Sequence, residues 1–515
     1  MKKKNIIRYS EANFEALNRH FQAAGKNETQ VFTLFSRAAF RRCNIFIANM
    51  HILPDQKELR DQSPVSIEPS REVQAIAYGL AYETGKSVGD QHNHPFTDKP
   101  RFSSIDDHHG RKNAVYLSEY LPDSATMIMV VFGEGLKHFQ ARVWNRQEGC
   151  FEPVERLEVL GSPIQILGKD TVTDVLGEDL YARHRIIPGW EQGRLEKLKV
   201  FLVGLGGNGA VVWQGLLALG VGRAGGWLKA CDPDVVEASN LPRIPYAYPE
   251  DIGEFKAAIA ESYARRRAPD IKASCYRESI DSKRMQDFVK EANVIFGCVD
   301  KDGPRKILNR CTVRHVVPLV DIASEILPNN DSYEAVGQVR IVVPGKTGCL
   351  MCSGVIDPSE AALDLVSEEL KEQHARAGYV RGTDQTPTPS VLHLNGVASH
   401  LAVSQFLRLV FGEGLSGKEF VHYDRQNCQI VAASVPPDPD CPVCGTKGYL
   451  GAGDEQREFK LHDSEDRIGR VELRDGKVIE KPSKQPDDSD SKPSGGEPNN
   501  RKTQSENKQI DDNAP

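Results

Sequence analysis

The sequence has no basic excess. Its 65 Lys and Arg residues are outnumbered by 72 Asp and Glu, for a formal net charge of −7, so no global positive field argues for nucleic acid or an anionic membrane. The basic opening Met1-Lys2-Lys3-Lys4 is not followed by an apolar h-region, which argues against a secretory leader. The 11 cysteines are odd in number, which makes a disulfide framework a poor reading and a reducing cytoplasm the expected setting. No internal repeat is present. A membrane helix is also not expected. Phe201 to Gly222 carries no charge, but it is broken by Gly204, Gly206, Gly207, Gly209, Gly215 and Gly220, and it reads as a buried strand, a tight turn and a buried helix.

What is present divides the 515 residues into three stretches. Residues 1–168 mix short apolar runs, such as Asn44–Met50 and Thr126–Phe132, with helix-like segments. Residues 169–450 alternate apolar strands and helical stretches, the pattern of a doubly wound α/β sheet. Residues 451–515 form a tail. From Lys481 onward it is rich in Pro, Ser, Asp, Asn and Lys without an aromatic residue, and it is expected to be disordered.

Val200-Phe201-Leu202-Val203 leads into Gly204-Leu205-Gly206-Gly207-Asn208-Gly209 and then an apolar helix. Such glycines let the backbone approach phosphate, whose charge is favoured by free N–H groups at a helix start. A dinucleotide oxidoreductase would show the same loop. A P-loop is set aside, because Arg340 stands where the first glycine before Gly345-Lys346-Thr347 should be. The next segment, Asp232-Pro233-Asp234-Val235-Val236-Glu237-Ala238-Ser239-Asn240-Leu241-Pro242-Arg243, is more specific. An acidic residue ending the second strand suits ribose hydroxyls, whereas the downstream Asn and Arg suit a triphosphate.

These residues resemble the ThiF/MoeB/HesA-type, ubiquitin-activating-enzyme-like adenylyltransferases, whose signature runs D-x-D-x-V-x-x-S-N-L-x-R. The resemblance implies ATP and Mg2+. By it, Gly204, Gly206, Gly207 and Gly209 cradle phosphate, Asp232 holds the ribose, and Asn240, Arg243 and Lys256 contact the triphosphate. Asp300, following the expected strand Val294–Val299, would hold magnesium. Arg183 would reach the nucleotide of a second copy, which implies a homodimer. Ile244 departs from the usual glutamine.

Two C-x-x-C pairs, Cys349/Cys352 and Cys441/Cys444, have the spacing of knuckles that together bind a structural zinc; a redox pair is the alternative. Ubiquitin-activating enzymes pass the adenylate to a cysteine after the first knuckle, but none stands between Cys352 and Cys428. Cys298, Cys311 and Cys428 read as buried structural thiols. Thr383, Thr386, Thr388 and Ser390 offer hydroxyls, and direct handover to the thiol of a conjugating-enzyme-like partner is the favoured route.

His92-Asn93-His94-Pro95, seven residues, then Ser103-Ser104-Ile105-Asp106 fits H-x-H-P-x7-S-x-x-D. Two imidazoles and a carboxylate make a three-ligand zinc site with one position open. The motif resembles the JAB/JAMM (Mov34/MPN) metallopeptidases, an α+β family. By that resemblance His92, His94 and Asp106 hold a catalytic zinc, Ser103 steadies the oxyanion, and Glu28 is the general base, with Glu58, Glu68 and Glu72 as fallbacks. Asp107, His108 and His109 read as polar groups at a helix start.

The expectation is therefore an enzyme with two activities. One adenylates a ubiquitin-like protein at its C-terminal glycine. The other is a zinc peptidase that processes or deconjugates it, as in bacterial ubiquitin-like conjugation modules. Sulfur transfer through a carrier thiocarboxylate is the alternative, and a non-enzymatic nucleotide-binding scaffold is a third reading.

Overall fold

Gln30–Phe40 and Cys43–Ile52 are rich in β-branched and aromatic residues, which suit a pleated, buried surface, and they pair antiparallel. They are neighbouring strands of the first sheet of the computed structural model, which describes residues 3–40, 43–64, 66–168, 180–329, 332–364 and 389–455. In space this sheet runs Lys4–Ser10, Cys43–Ile52, Gln30–Phe40, Ser87–Asn93, Met127–Phe132, Phe139–Asn145, Cys150–Leu160 and Gln165–Gly168. Lys4–Ser10 also pairs in parallel with Cys150–Leu160. The sheet thereby closes on itself and leaves Gln165–Gly168 as an extra strand on the ring.

Among the described residues three α-helices accompany this barrel-like sheet, and each begins at a serine that accepts a backbone N–H: Glu11–Ala23 at Ser10, Arg71–Thr84 at Ser70 and Ser104–Tyr120 at Ser103. The closed form by itself does not carry the JAB/MPN assignment.

The second sheet runs Ala273–Tyr276, Trp227–Cys231, Lys199–Val203, Val294–Gly297, Leu319–Asn329, Ser332–Val342, Phe420–Asp424 and Gln429–Ala433. Its first five strands are parallel, and the rest add antiparallel. Numbered in chain order, the parallel part reads 3-2-1-4-5, a doubly wound Rossmann-like arrangement. Its topological switch lies between Lys199–Val203 and Val294–Gly297, where ligand crevices form. The uncharged run after Phe201 resolves into the strand Lys199–Val203 and the helix Gly207–Ala218. Among the described residues, no helix is long and apolar enough to cross a membrane.

The two sheets share a core. Phe40, Leu160 and Ile164 of the first half sit in one cluster with Phe201, Phe288 and Leu319 of the second, and the Phe40 and Phe288 rings meet edge-on at 5.9 Å. Beside them Arg8 and Glu158, both fully buried, form an ion pair of 2.8 Å. Arg8 also donates to the carbonyls of His315 (2.9 Å) and Ala292 (3.3 Å) of the second half. Accordingly, the residues from Met1 to Arg457 gather into one unit.

The compositional border at 450/451 falls early. Gly451 and Gly453 donate to the carbonyls of Val313 and Arg314, Asp454 accepts from the Ala39 amide at 2.8 Å, and Glu455 pairs with Lys86 at 2.6 Å. Residues 451–455 are therefore packed, because main-chain bonds and ion pairs hold a stretch that has little apolar surface of its own. The rest of the expected tail, 456–515, lies outside the described residues.

Candidate functional site

At the switch point the glycines have separate steric reasons. Gly204 is in the left-handed region (φ 93°), and a Cβ there would lie 2.4 Å from the Cys298 carbonyl oxygen. A Cβ at Gly209 would lie 2.0 Å from the Gly204 oxygen, and one at Gly207 would lie 2.1 Å from Nδ2 of Asn395. Gly206, the N-cap of the helix Gly207–Ala218, differs from these. Nothing lies within 4 Å of an added Cβ, so open space faces the helix N-terminus where an anion is favoured.

Asp232 follows the strand Trp227–Cys231, and only 4% of its surface is exposed. Its carboxylate accepts from the amides of Leu205 (2.6 Å) and Asp234 (2.9 Å). In this position it braces the glycine loop with one lone pair on each oxygen and retains the others. Burial raises its pKa, opposed by Lys256 and the two amides. Lys256 opens the helix Lys256–Arg267 and pairs with Asp234 at 2.8 Å.

Asn240 ends the short helix Ala238–Asn240, is buried, and donates to Ser239 Oγ at 3.3 Å. Arg243 lies beside the loop, its Cδ 3.7 Å from where a Cβ on Gly207 would be. Its Nε is buried and has no hydrogen-bond partner among the described residues. A guanidinium left in this state next to a helix N-terminus fits an anion. Ile244 is buried in the core, which accounts for the apolar departure. Asp300 is exposed three residues past the strand Val294–Gly297, which is shorter than expected. Arg183 is exposed on the helix Ala182–Arg185.

Sequence reasoning passed over several groups here. Arg305 donates to the Val299 carbonyl (2.9 Å) and to buried Asp321 (3.3 Å), bracing the segment before Asp300. The D-x-D spacing held a signal for Asp234, the partner of Lys256. Nothing local marked Asn395.

The four knuckle cysteines converge. Cys349 lies 3.9 Å from Cys352 and 3.7 Å from Cys441, and Cys352 lies 3.3 Å from Cys444. Among the described residues this is the group whose ligand atoms all fall within 4.8 Å of one another, a donor set that suits tetrahedral zinc. The Cys349 thiol is held down to about 5, first by hydrogen bonding with Cys444 and then, against burial, by Asn309. Asn309 donates to Cys349 Sγ (3.4 Å) and accepts from the Leu350 amide (3.0 Å), an outer-shell support of the kind metal sites use.

Of the three thiols that the sequence reads as buried and structural, two are enclosed and one is not. Cys311 is buried and Cys298 is partly buried, but Cys428 is exposed in the turn after Phe420–Asp424 at φ 50°. The next strand begins only at Gln429. Thr383, Thr386 and Thr388 lie outside the described residues, whereas Ser390 accepts from Asn395 Nδ2 at 3.1 Å.

In the first half, the strand Ser87–Asn93 carries His92, and His94 follows directly, its amide bonded to the Phe132 carbonyl at 2.8 Å. Their rings lie 5.1 Å apart. Ser103 and Asp106 form a capping box on the helix Ser104–Tyr120. Asp106 Oδ2 accepts from the Ser103 amide (2.7 Å) and hydroxyl (2.8 Å), while Oδ1 faces His92 Nε2 at 3.9 Å. That nitrogen is buried and has no hydrogen-bond partner among the described residues. Burial lowers the His92 pKa to about 4, so the ring is neutral and offers a lone pair.

Glu28 is buried with Oε1 3.6 Å from His94 Nε2, and burial followed by the Asp106 charge pushes its carboxyl up to about 7. The fallbacks are occupied elsewhere. Glu58 caps its own turn, Glu68 pairs with Arg60 at 3.3 Å, and Glu72 is exposed in the first turn of Arg71–Thr84. Asp107 pairs with Arg142, and His108 and His109 are exposed. His92, His94 and Asp106 do not draw together as closely as the cysteines.

A family model described as the ThiF family matches residues 181–443. The SAMP-activating enzyme E1 of Haloferax volcanii is 30% identical over 275 residues, 52% of this chain and 90% of that protein. The sulfur carrier protein adenylyltransferase of Thermus thermophilus is 30% identical over 277 residues, again 52% and 90%. The sulfur carrier protein ThiS adenylyltransferase of Bacillus subtilis is 27% identical over 262 residues, 50% of this chain and 68% of that protein. A crystal structure of E. coli MccB with succinimide aligns at a TM-score of 0.41 and 20% identity, over 53% of this chain and 75% of that one.

Proposed function

The chain belongs to the ThiF family, and from that premise we propose that it uses ATP to adenylate the C-terminal carboxylate of a small carrier protein. The observation that carries this reading is Arg243, a guanidinium with a buried, unpartnered Nε beside the open N-terminus at Gly206. A carboxylate oxygen of the carrier forms a bond to the α-phosphorus of ATP as the bond to the pyrophosphate oxygen breaks. Negative charge accumulates on the phosphoryl oxygens and the leaving group. Arg243, the free helix N–H groups, Asn240 and Lys256 would answer it. Lys256 would exchange its Asp234 partner for phosphate. Asp300 would hold magnesium, which neutralises charge on the departing pyrophosphate. Asp232 positions the loop and presents its remaining lone pairs to ribose. The reading includes pairing of two copies, with Arg183 directed to the second copy's nucleotide.

Relatives named for sulfur carrier proteins favour sulfur transfer over the conjugation expected from the sequence. Carriers ending in glycine should support ATP–pyrophosphate exchange that vanishes in Asp300→Ala. Mass spectrometry of the product decides between a thiocarboxylate and an isopeptide conjugate. A lack of exchange with every such carrier would overturn the adenylation reading and leave the scaffold.

A second reading concerns the first half and rests on the orphaned His92 Nε2 facing Asp106. Two neutral imidazoles and one carboxylate fit zinc, which would polarise a peptide carbonyl and lower the pKa of water. Glu28, 3.6 Å from His94, would take the proton of that water, and Ser103 would steady the oxyanion. Such a peptidase would trim the same carrier to its terminal glycine.

A further inference from the structure

The helix Leu392–Phe411 is apolar along its inward face, where Leu394, Ala398, Ala402, Phe406 and Leu409 are buried. Three inward positions, Asn395, Ser399 and Gln405, break the pattern. Asn395 and Ser399 are 1% and 0% exposed, and both face the first turn of the glycine-loop helix. A buried amide costs free energy unless its donors and acceptor are met, and here they are met by that turn and its neighbours.

Asn395 Oδ1 accepts from Ser324 Oγ at 2.7 Å, and Asn395 Nδ2 donates to Ser390 Oγ at 3.1 Å. Asn208 Nδ2 donates to the same Ser324 oxygen at 3.1 Å, and Ser399 Oγ donates to the Asn208 carbonyl at 3.0 Å. The amide also fills the space beside Gly207, where a Cβ would lie 2.1 Å from Nδ2. Gly207 and Asn208 are the first two residues of the helix whose N–H groups face open space. An apolar side chain of similar size would pack as well at 395, but it would leave Ser324 and Asn208 without this anchor.

We propose that Asn395, acting with Ser324, is a positioning residue for the nucleotide: the two hold Gly207 and Asn208 so that the free N–H groups of the first turn converge on phosphate. The inference rests on the ATP-binding reading above. It adds a chain-specific cause for the loop's geometry, from a residue more than 180 positions away in sequence.

The test is ATP·Mg binding to the full chain by calorimetry, beside the melting temperature without ligand and the carrier-dependent exchange rate. Asn395→Leu and Ser324→Ala should each weaken ATP about tenfold, the loss expected for one well-placed hydrogen bond. The double variant should be no worse than the weaker single, because both act through one link. KM for ATP should rise while kcat for exchange stays within about twofold. Ser324→Ala leaves the Gly207 contact untouched and keeps the test open if Asn395→Leu folds poorly.

A lowered melting temperature with wild-type ATP affinity would make the pair merely structural and overturn the proposal, as would losses that add independently. Wild-type protein that binds no ATP would remove the nucleotide reading itself, and this proposal with it. Wild-type binding with unaffected variants removes this proposal alone.

Discussion

Replacing Arg8 with methionine tests whether the two halves share a desolvated junction. Arg8 and Glu158 are both fully buried, their ion pair is 2.8 Å, and Arg8 Nε adds a second bond to Glu158 at 2.9 Å. Removing one partner of such a pair costs about 3–5 kcal/mol, because the other charge is left without compensation. Glu158 keeps Arg156 (2.7 Å) and Asn293 (3.3 Å), which favours the lower half of that range. The carbonyls of His315 and Ala292 lose their donor at the same time, which favours the upper half.

The electrostatics of Glu158, set by all its cationic neighbours together, point to the same order of magnitude. Burial alone would push Glu158 up, but Arg8, Arg156 and Lys199 outweigh it and hold the carboxyl at about 2 against an ordinary 4.5. At about 1.4 kcal/mol per pH unit this corresponds to roughly 3 kcal/mol. The folded value is the lower one, so the contribution is complete above pH 4.5 and lost as pH falls towards 2. Urea unfolding at pH 7 should therefore show Arg8→Met less stable by about 4 kcal/mol with an unchanged m value. Arg8→Met with Glu158→Leu should recover a large part of the loss, since apolar replacements of both partners restore a neutral interior. A loss below about 1 kcal/mol in the single variant, the range of an exposed pair, would refute the buried junction.

Other perturbations separate the sites. Gly209→Ala would place a Cβ 2.0 Å from the Gly204 oxygen, so it should destabilise the fold by about 1–3 kcal/mol and abolish ATP binding. Gly206→Ala has nothing within 4 Å and should keep the wild-type melting temperature while losing ATP affinity, as calorimetry would show. Cys441→Ala should lower zinc content by one ion per chain by elemental analysis and reduce the melting temperature; unchanged zinc would dismiss the knuckle site. Glu28→Gln should slow trimming of a C-terminally extended carrier by about a hundredfold or more without altering ATP–pyrophosphate exchange, whereas Glu58→Gln should change neither.

The legible parts of the sequence were those whose meaning is local. A glycine run after a β-branched strand, Asp232 through Arg243, two C-x-x-C pairs and His92 through Asp106 all carry fixed spacings, and the structure sets the cysteines together from 92 residues apart. Chain order of strands and helices was equally readable for the Rossmann-like half. Closure of the first sheet was not, because the pairing of Lys4–Ser10 with Cys150–Leu160 leaves no periodic trace in either strand. Cys428 was misread as buried because its neighbours Ile430 and Val431 look like core, yet both are exposed on the edge strand Gln429–Ala433. Asn395 was invisible for a related reason. A polar residue in an apolar helix reveals nothing until its partners across the fold are known.

The strand Lys4–Ser10 has a consequence for how the protein is made. It leaves the ribosome ahead of its partners: its second ladder partner lies about 150 residues downstream, and the carbonyl that Arg8 needs at His315 lies 307 residues away. At translation rates of about 5–20 residues per second, roughly 15–60 seconds separate Arg8 from that acceptor. For about the first half of this interval the barrel edge is open and Arg8 is unpaired, and until His315 follows, Arg8 holds Glu158 without that carbonyl. Completion of the first half is thus tied to synthesis of the second, and a nascent chain halted before His315 is the species for a chaperone to shield.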